Sequence, residues 1–153
     1  MTDFCFAVAK PLGRLAKWLR MLGFDTLYEP DLPQGFFNGF ETERILLVRR
    51  LPSRQDRTGY SHVVIRSDHY WEQLLELVRA VGITAESIRP FSRCIRCNSA
   101  IKPAAKAGLY GKVPDYIWET HDEFRVCPGC RRIYWPGSHI ERSLGRIRSL
   151  FDG

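Results

Sequence analysis

The apolar positions of this chain fall into short blocks separated by turn-forming residues, and the spacing inside each block predicts an element. Phe4 to Val8 is a continuous apolar run and reads as a strand buried on both faces. Behind it, Pro11-Leu12-Gly13 opens an amphipathic helix in which Leu12, Leu15, Ala16, Leu19 and Leu22 recur at helical spacing, and Gly23 closes it. Thr26 to Tyr28 is a short strand. The stretch from Pro30 to Gly39, with its prolines and glycines, reads as loop or irregular helix. Ile45 to Val48 and Val63 to Ile65 are two more buried strands, joined by a polar, Arg-rich connection from Leu51 to Ser61. Ser67-Asp68 is positioned to cap a helix from about Tyr70 to Val81, with Trp71, Leu74, Leu75, Leu77 and Val78 on its apolar side and Gly82 at its end. Strands alternating with helices imply an α/β fold with a parallel sheet over residues 1–90. From Phe91 the composition changes to a cysteine-bearing module, and from Ser138 a basic helix runs to about Phe151, so residues 91–153 form a second unit.

The five cysteines sort by spacing. Cys94/Cys97 and Cys127/Cys130 are two Cys-x-x-Cys pairs, while Cys5 stands alone in the first strand as a core residue. Two intervening residues let a tight turn present both sulfurs to one ion, and Pro128-Gly129 suits such a turn. Four thiolates satisfy tetrahedral Zn²⁺ and leave no open position, so the metal is expected to be structural. The competing readings are two disulfides, which a reducing cytosol disfavours, redox-active pairs, which usually come singly, and an iron–sulfur cluster.

Composition and charge narrow the setting. The chain has 153 residues, 44% hydrophobic and 26% charged, which is the balance of a soluble globular protein. No stretch approaches the about 18 apolar residues of a membrane span. The apolar segment Phe4 to Ala9 has no basic lead-in and is too short for a signal-peptide core, so a cytoplasmic protein is expected. A net charge of +6 attracts polyanions in a salt-dependent way, which makes nucleic acid the first partner to consider. Lys10, Arg14 and Lys17 lie near one face of the first helix, and Arg49, Arg50 and Arg54 follow the strand whose end should lie beside it. These six are the candidate nucleic-acid-binding patch, against the plain alternative of a solvated face. Tyr134, Trp135 and His139 could stack on unpaired bases or pack against the metal module.

In a parallel α/β sheet, catalytic groups gather where strands end at their C-terminal edge. The three positions selected are Ala9-Lys10, Arg49-Arg50 and Arg66-Ser67-Asp68, and only the last carries a carboxylate. A nuclease that uses Mg²⁺ or Mn²⁺ needs several acidic oxygens converging on the cation. Asp68 is the candidate catalytic residue, with Asp25, Asp31, Glu41 and Glu43 as possible contributors from surrounding loops.

Five motifs then occur in order. They are Leu12-Gly13-Arg14-Leu15-Ala16-Lys17-Trp18-Leu19-Arg20-Met21-Leu22-Gly23-Phe24-Asp25-Thr26, Arg44-Ile45-Leu46-Leu47, Ser92-Arg93-Cys94 to Cys97-Asn98, Val113-Pro114, and Cys127 to Cys130 with Tyr134-Trp135-Pro136-Gly137-Ser138-His139. Together they resemble the mut-7 C-terminal RNase domain family over almost the whole chain. The resemblance implies a PIN-like nuclease sheet with flanking helices, followed by a C-terminal zinc ribbon. It also implies carboxylates that this chain lacks. Ala9 stands where the family carries an Asp at the end of the first strand, and Val48-Arg49-Arg50 stands where it carries Thr-Arg-Asp. A third acidic cluster would fall on Leu32-Pro33-Gln34-Gly35-Phe36, with Asp31 close by. An arginine in place of a metal-binding carboxylate repels the cation and suits a phosphate instead. The expectation is an RNA-binding or RNA-associated protein of RNase ancestry, catalytically degenerate, that works on RNA or within a ribonucleoprotein. Two alternatives stand beside it: a ribonuclease with a divergent acidic site that uses Mg²⁺ or Mn²⁺, and a protein-interaction module docking on a ribonucleoprotein.

Overall fold

The computed structural model describes residues 4–35, 37, 43–51 and 61–152, the side chain of His139 excepted. Arg54, Glu41 and most of the connection between Leu51 and Ser61 lie outside the described residues.

The apolar blocks assemble as a four-stranded, all-parallel sheet in the order β2-β1-β3-β4. Here β1 is Cys5–Val8, β2 Asp25–Tyr28, β3 Ile45–Val48 and β4 His62–Val64. The continuous apolar runs belong to the two central strands, which must be dry on both faces: Phe6, Ala7, Val8, Leu46 and Leu47 are almost wholly inaccessible. Cys5, at the start of β1, is only half-buried.

Helix α1 (Gly13–Met21) carries the chain from β1 to β2 and turns Leu15, Ala16 and Leu19 onto the sheet. Its end is set by Gly23, whose φ of 94° lies in the left-handed region. A Cβ at Gly23 would also overlap the Arg89 carbonyl oxygen, so two independent constraints require glycine there. Helix α2 (Tyr70–Val81) follows β4, buries Leu74, Leu77 and Val78, and stops at Gly82 with φ 78°. Its cap differs from the expected Ser67-Asp68. The N-cap is His69, whose Nδ1 accepts from the Trp71 amide at 3.3 Å. Ser67 is unavailable because Glu76 Oε1 accepts from both its amide (3.0 Å) and its hydroxyl (2.9 Å).

The C-terminal module is a three-stranded antiparallel sheet, β5 (Lys102–Ala104), β6 (Phe124–Val126) and β7 (Ile133–Tyr134), with a short helix α3 (Asp115–Thr120) inside the β5–β6 connection. Leu109, Val113, Ile117 and Phe124 form its own small core, with Trp118 and Trp135 packed on it. The last helix, α4 (Ser138–Ser149), leaves the ribbon and returns to the first core, where Ile147 and Leu150 are buried with the side chains of α1 and α2. Among the described residues no helix is long and apolar enough to cross a membrane.

Candidate metal centre and sheet edge

The two Cys-x-x-Cys pairs fold into matching knuckles. In the first, the Asn98 amide donates to the Cys94 carbonyl (2.9 Å) and the Cys94 amide to the Ser99 carbonyl (2.8 Å). In the second, the Arg131 amide donates to the Cys127 carbonyl (2.8 Å) and the Cys127 amide to the Arg132 carbonyl (2.9 Å). The residue after the second cysteine is left-handed in both, with φ 70° at Asn98 and 63° at Arg131. Gly129 is needed in the second knuckle because a Cβ there would press on the Ser99 hydroxyl and the Cys97 sulfur.

These turns bring the four sulfurs within 4.8 Å of one another. Cys94 and Cys130 are 3.6 Å apart and Cys97 and Cys127 3.1 Å, too far for disulfides. A tetrahedral Zn²⁺ with bonds of about 2.3 Å to sulfur needs edges of about 3.8 Å, so small outward shifts would accommodate it. The donor set therefore fits a metal such as zinc, held by Cys94, Cys97, Cys127 and Cys130, whose contribution is to cross-link the two knuckles.

Electrostatics point the same way. Burial pushes the Cys97 thiol up, but hydrogen bonds from Ser99 and from the neighbouring sulfurs outweigh it and bring the thiol down to about 6. Burial raises Cys127 to about 11. Four sulfurs this close cannot all ionise without a cation among them. Tyr134 donates its hydroxyl to Cys94 Sγ at 3.0 Å, and burial together with that sulfur raises the phenol. Tyr134 is thus a support of the metal site, and Trp135 belongs to the ribbon core. Both are half-buried and line a cleft of about 390 Å³ beside α4.

The sequence reading missed how the knuckles are fastened to the parallel sheet. Asn98 Oδ1 accepts from the Thr26 amide (2.9 Å), and Asn98 Nδ2 donates to Asp25 Oδ1 (2.7 Å). Arg44 Nη1 donates to the same Asp25 oxygen at 2.8 Å. Arg20, almost fully buried, donates from Nε to the Thr26 carbonyl (2.9 Å) and from Nη1 to the carbonyls of Ile95 (3.1 Å) and Arg96 (3.0 Å). Burial lowers its basicity, and nearby negative charge, Asp31 foremost, partly restores it. One visible signal existed, since Arg20, Asp25, Thr26, Arg44 and Asn98 all fall inside the five family-like motifs. Spacing alone could not say that they meet.

Asp25 therefore sits at the N-terminal end of β2, opposite Cys5, on the far side of the sheet from Asp68. A four-residue strand separates its ends by about 10 Å, too far for a shared cation. Asp31 follows β2 at the C-terminal end of the sheet, but β1 and β3 lie between it and β4, and it lines a groove with Lys17 and Arg96. Of the contributors considered for a divergent acidic site, neither Asp25 nor Asp31 joins Asp68.

At the C-terminal edge, the Ala9 amide donates to the Leu47 carbonyl (2.9 Å), which sets the end of β1 beside the end of β3. Arg49 does not point out to a ligand. Its Nη1 donates to the carbonyls of Ser67 (2.6 Å) and Ile65 (3.2 Å), and its Nη2 pairs with Asp68 Oδ1 at 2.7 Å. The same loop is held from the other side by Glu76, on the Arg66 amide (2.8 Å), and by Gln73 Nε2, on the Ser67 carbonyl (2.9 Å). Asp68 is itself almost fully exposed. Lys10, Arg14, Lys17 and Arg50 are exposed, and the Arg14 guanidinium lies over the Tyr70 ring, 4.1 Å from its centroid. Among the described residues the four cysteines are the only group of three or more potential ligands that converge.

No curated protein and no solved structure matches the chain. The model of the Mut7-C RNAse domain matches residues 5–147, a span that contains the whole parallel sheet, both knuckles and most of the helix that returns to close the core. The chain belongs to the Mut7-C RNAse domain family.

Proposed function

We propose that this protein is an RNA-associated member of its family in which metal-dependent cleavage has been lost, with RNA or a ribonucleoprotein as its partner. The observation that carries this reading is the Arg49–Asp68 pair. At the edge where a divalent cation would need converging carboxylates, Asp68 is bound at 2.7 Å by a guanidinium from the neighbouring strand, and the other described acids there are taken by the backbone, Glu76 by the Arg66 and Ser67 amides and Glu29 by the Lys10 amide. Ala9 supplies no oxygen at all, and Arg50 adds a second positive charge. Such an edge favours a phosphate over a cation. The cysteine site, closed by four thiolates, serves as structural zinc in this reading, and a reducing cytoplasm is the compartment that keeps those thiolates available.

The test is incubation of the purified protein with labelled single-stranded RNA in Mg²⁺ or Mn²⁺. No cleavage above a metal-free control is expected, together with binding that weakens as salt rises. Cleavage that disappears in Asp68→Ala would overturn the loss of catalysis and restore the divergent-nuclease alternative.

A further inference from the structure

A cationic surface that shares Arg14 and Lys17 with the predicted patch lies on the β2 side of the molecule, away from the Arg49–Asp68 pair. A groove of about 600 Å³ runs between α1 and the two cysteine knuckles. Arg14 and Lys17 line it from the helix, Arg96 from between Cys94 and Cys97, and Arg132 from just after the second knuckle. Arg20 forms its floor. All three hydrogen bonds of Arg20 go to carbonyl oxygens, so its charge is not cancelled by a carboxylate in direct contact. With the Arg14 guanidinium turned to the Tyr70 ring, four cations, Lys17, Arg20, Arg96 and Arg132, share the groove with one carboxylate, Asp31. Low-dielectric walls focus such a field outward into the cleft.

The simpler reading is that these cations balance the excess negative charge of four thiolates on a divalent ion. Arg20, packed on the knuckle carbonyls, fits that role. Arg96 and Arg132 do not. Both residues are exposed, and although the Arg96 backbone amide donates to the Cys94 sulfur, among the described residues no guanidinium of either is among the hydrogen bonds to the four sulfurs.

We infer that this groove is the track of a single-stranded RNA backbone, with phosphates held between Lys17 on α1 and Arg96 and Arg132 on the knuckles. The inference rests on the RNA-associated reading above and gives it a site. The shape favours a single strand. A cleft of this size admits a flexible chain whose phosphates turn inward, whereas an A-form duplex presents its phosphates on a broad, stiff cylinder. Tyr28 adds an aromatic wall, its ring held by a 2.7 Å hydrogen bond from its hydroxyl to the Lys10 carbonyl, and every base has a face that can stack on such a ring. Because Arg96 and Arg132 are carried by the knuckles, one wall of the track depends on the cysteines being held together.

The experiment is fluorescence anisotropy of a labelled single-stranded oligouridylate against the full zinc-loaded protein over a salt series, with a duplex RNA as competitor. Arg96→Gln/Arg132→Gln is compared with Arg142→Gln/Arg148→Gln, which removes the same charge from the exposed side of α4. The groove variant is expected to bind at least about tenfold more weakly at low salt and to flatten the log–log salt slope by about 1.4, two phosphates at ~0.7 each. The α4 variant should keep the slope, and duplex should compete poorly. Zinc content and the melting transition show whether the groove variant is folded. Lys17→Gln, on α1 rather than on a knuckle, gives an independent reading from the opposite wall. Equal losses in the groove and α4 variants, no loss in the groove variants, or strong competition by duplex would overturn the track while leaving RNA association standing. A wild-type protein that does not bind the oligonucleotide at low salt would overturn both.

Discussion

Asn98 Oδ1 accepts a 2.9 Å hydrogen bond from the backbone amide of Thr26, so a side chain of the first cysteine knuckle covers the outer edge of the parallel sheet. Strand β2 is an edge strand, and an unpaired edge amide is a site for wrong pairing unless something satisfies it. The same asparagine binds Asp25, and its left-handed backbone is the turn that follows Cys97.

Asn98→Gly should keep that backbone conformation and remove both hydrogen bonds. A loss of about 1–3 kcal/mol in urea unfolding is expected, because the Thr26 amide and the Asp25 carboxylate lose a partner in a half-buried place. Zinc content per chain should not change. An unaltered unfolding midpoint would mean that water replaces Asn98 without cost.

Removing the metal with a chelator should be felt across the sheet edge as well as in the ribbon. Hydrogen exchange is expected to accelerate at the knuckle amides of Cys94, Asn98, Cys127 and Arg131 and, with them, at Thr26. Leu46 and Ile65, paired inside the parallel sheet, should stay protected. Protection at Thr26 that survives chelation would show that the knuckle holds its shape without metal.

Acid stability should report two carboxylates. Burial acts to raise Asp25, but hydrogen bonds from Arg44 and Asn98 outweigh it and hold the group below the usual carboxylate range. Glu76 is held low in the same way, burial being outweighed by the Arg66 amide and by Ser67. A folded pKa below the unfolded one gives stability that is complete above the unfolded value, about 4, and is lost as pH falls through the folded value. Unfolding free energy should therefore fall steadily below about pH 4, and less steeply in Asp25→Asn or Glu76→Gln. Wild-type and variant profiles of identical slope would contradict this assignment.

Two glycines separate conformation from space. Gly82→Ala places a Cβ in the open at φ 78° and should cost about 1–2 kcal/mol for the left-handed backbone alone. Gly23→Ala carries the same conformational cost and also drives the Cβ into the Arg89 carbonyl, so a loss of at least about 3 kcal/mol is expected. Similar melting temperatures for the two variants would show that the segment at Arg89 yields easily.

Much of this could be read along the chain, and the reasons are physical. The strands at Ile45–Val48 and Cys5–Val8 are legible because a central parallel strand must be apolar on both faces, and α1 and α2 because burial against one sheet face imposes a helical period. Less legible were the residues with two competing uses. Ser67 has the chemistry of a helix cap, yet Glu76, nine residues on, takes it and leaves the cap to His69. Arg49 has the chemistry of a phosphate ligand, yet three acceptors at the end of β4 take it. Asp25 has the chemistry of a metal ligand, yet it lies at the wrong end of its strand and is bound to Arg44 and Asn98.

By itself, the sequence determined the strands and helices of the parallel-sheet unit, the last helix, the four cysteines and the absence of carboxylates at Ala9 and Arg50, since each depends on residue type and on spacing within a few residues; the ribbon strands and α3 were not read from it. Only the tertiary structure decided which polar side chains remain available. A hydrogen bond between Asn98 and Thr26, or between Arg49 and Asp68, joins residues that are far apart along the chain. Nothing in local periodicity records such a pairing. It is set by strand order, by the docking of the ribbon on the β2 edge, and by the cost of leaving a buried polar group without a partner.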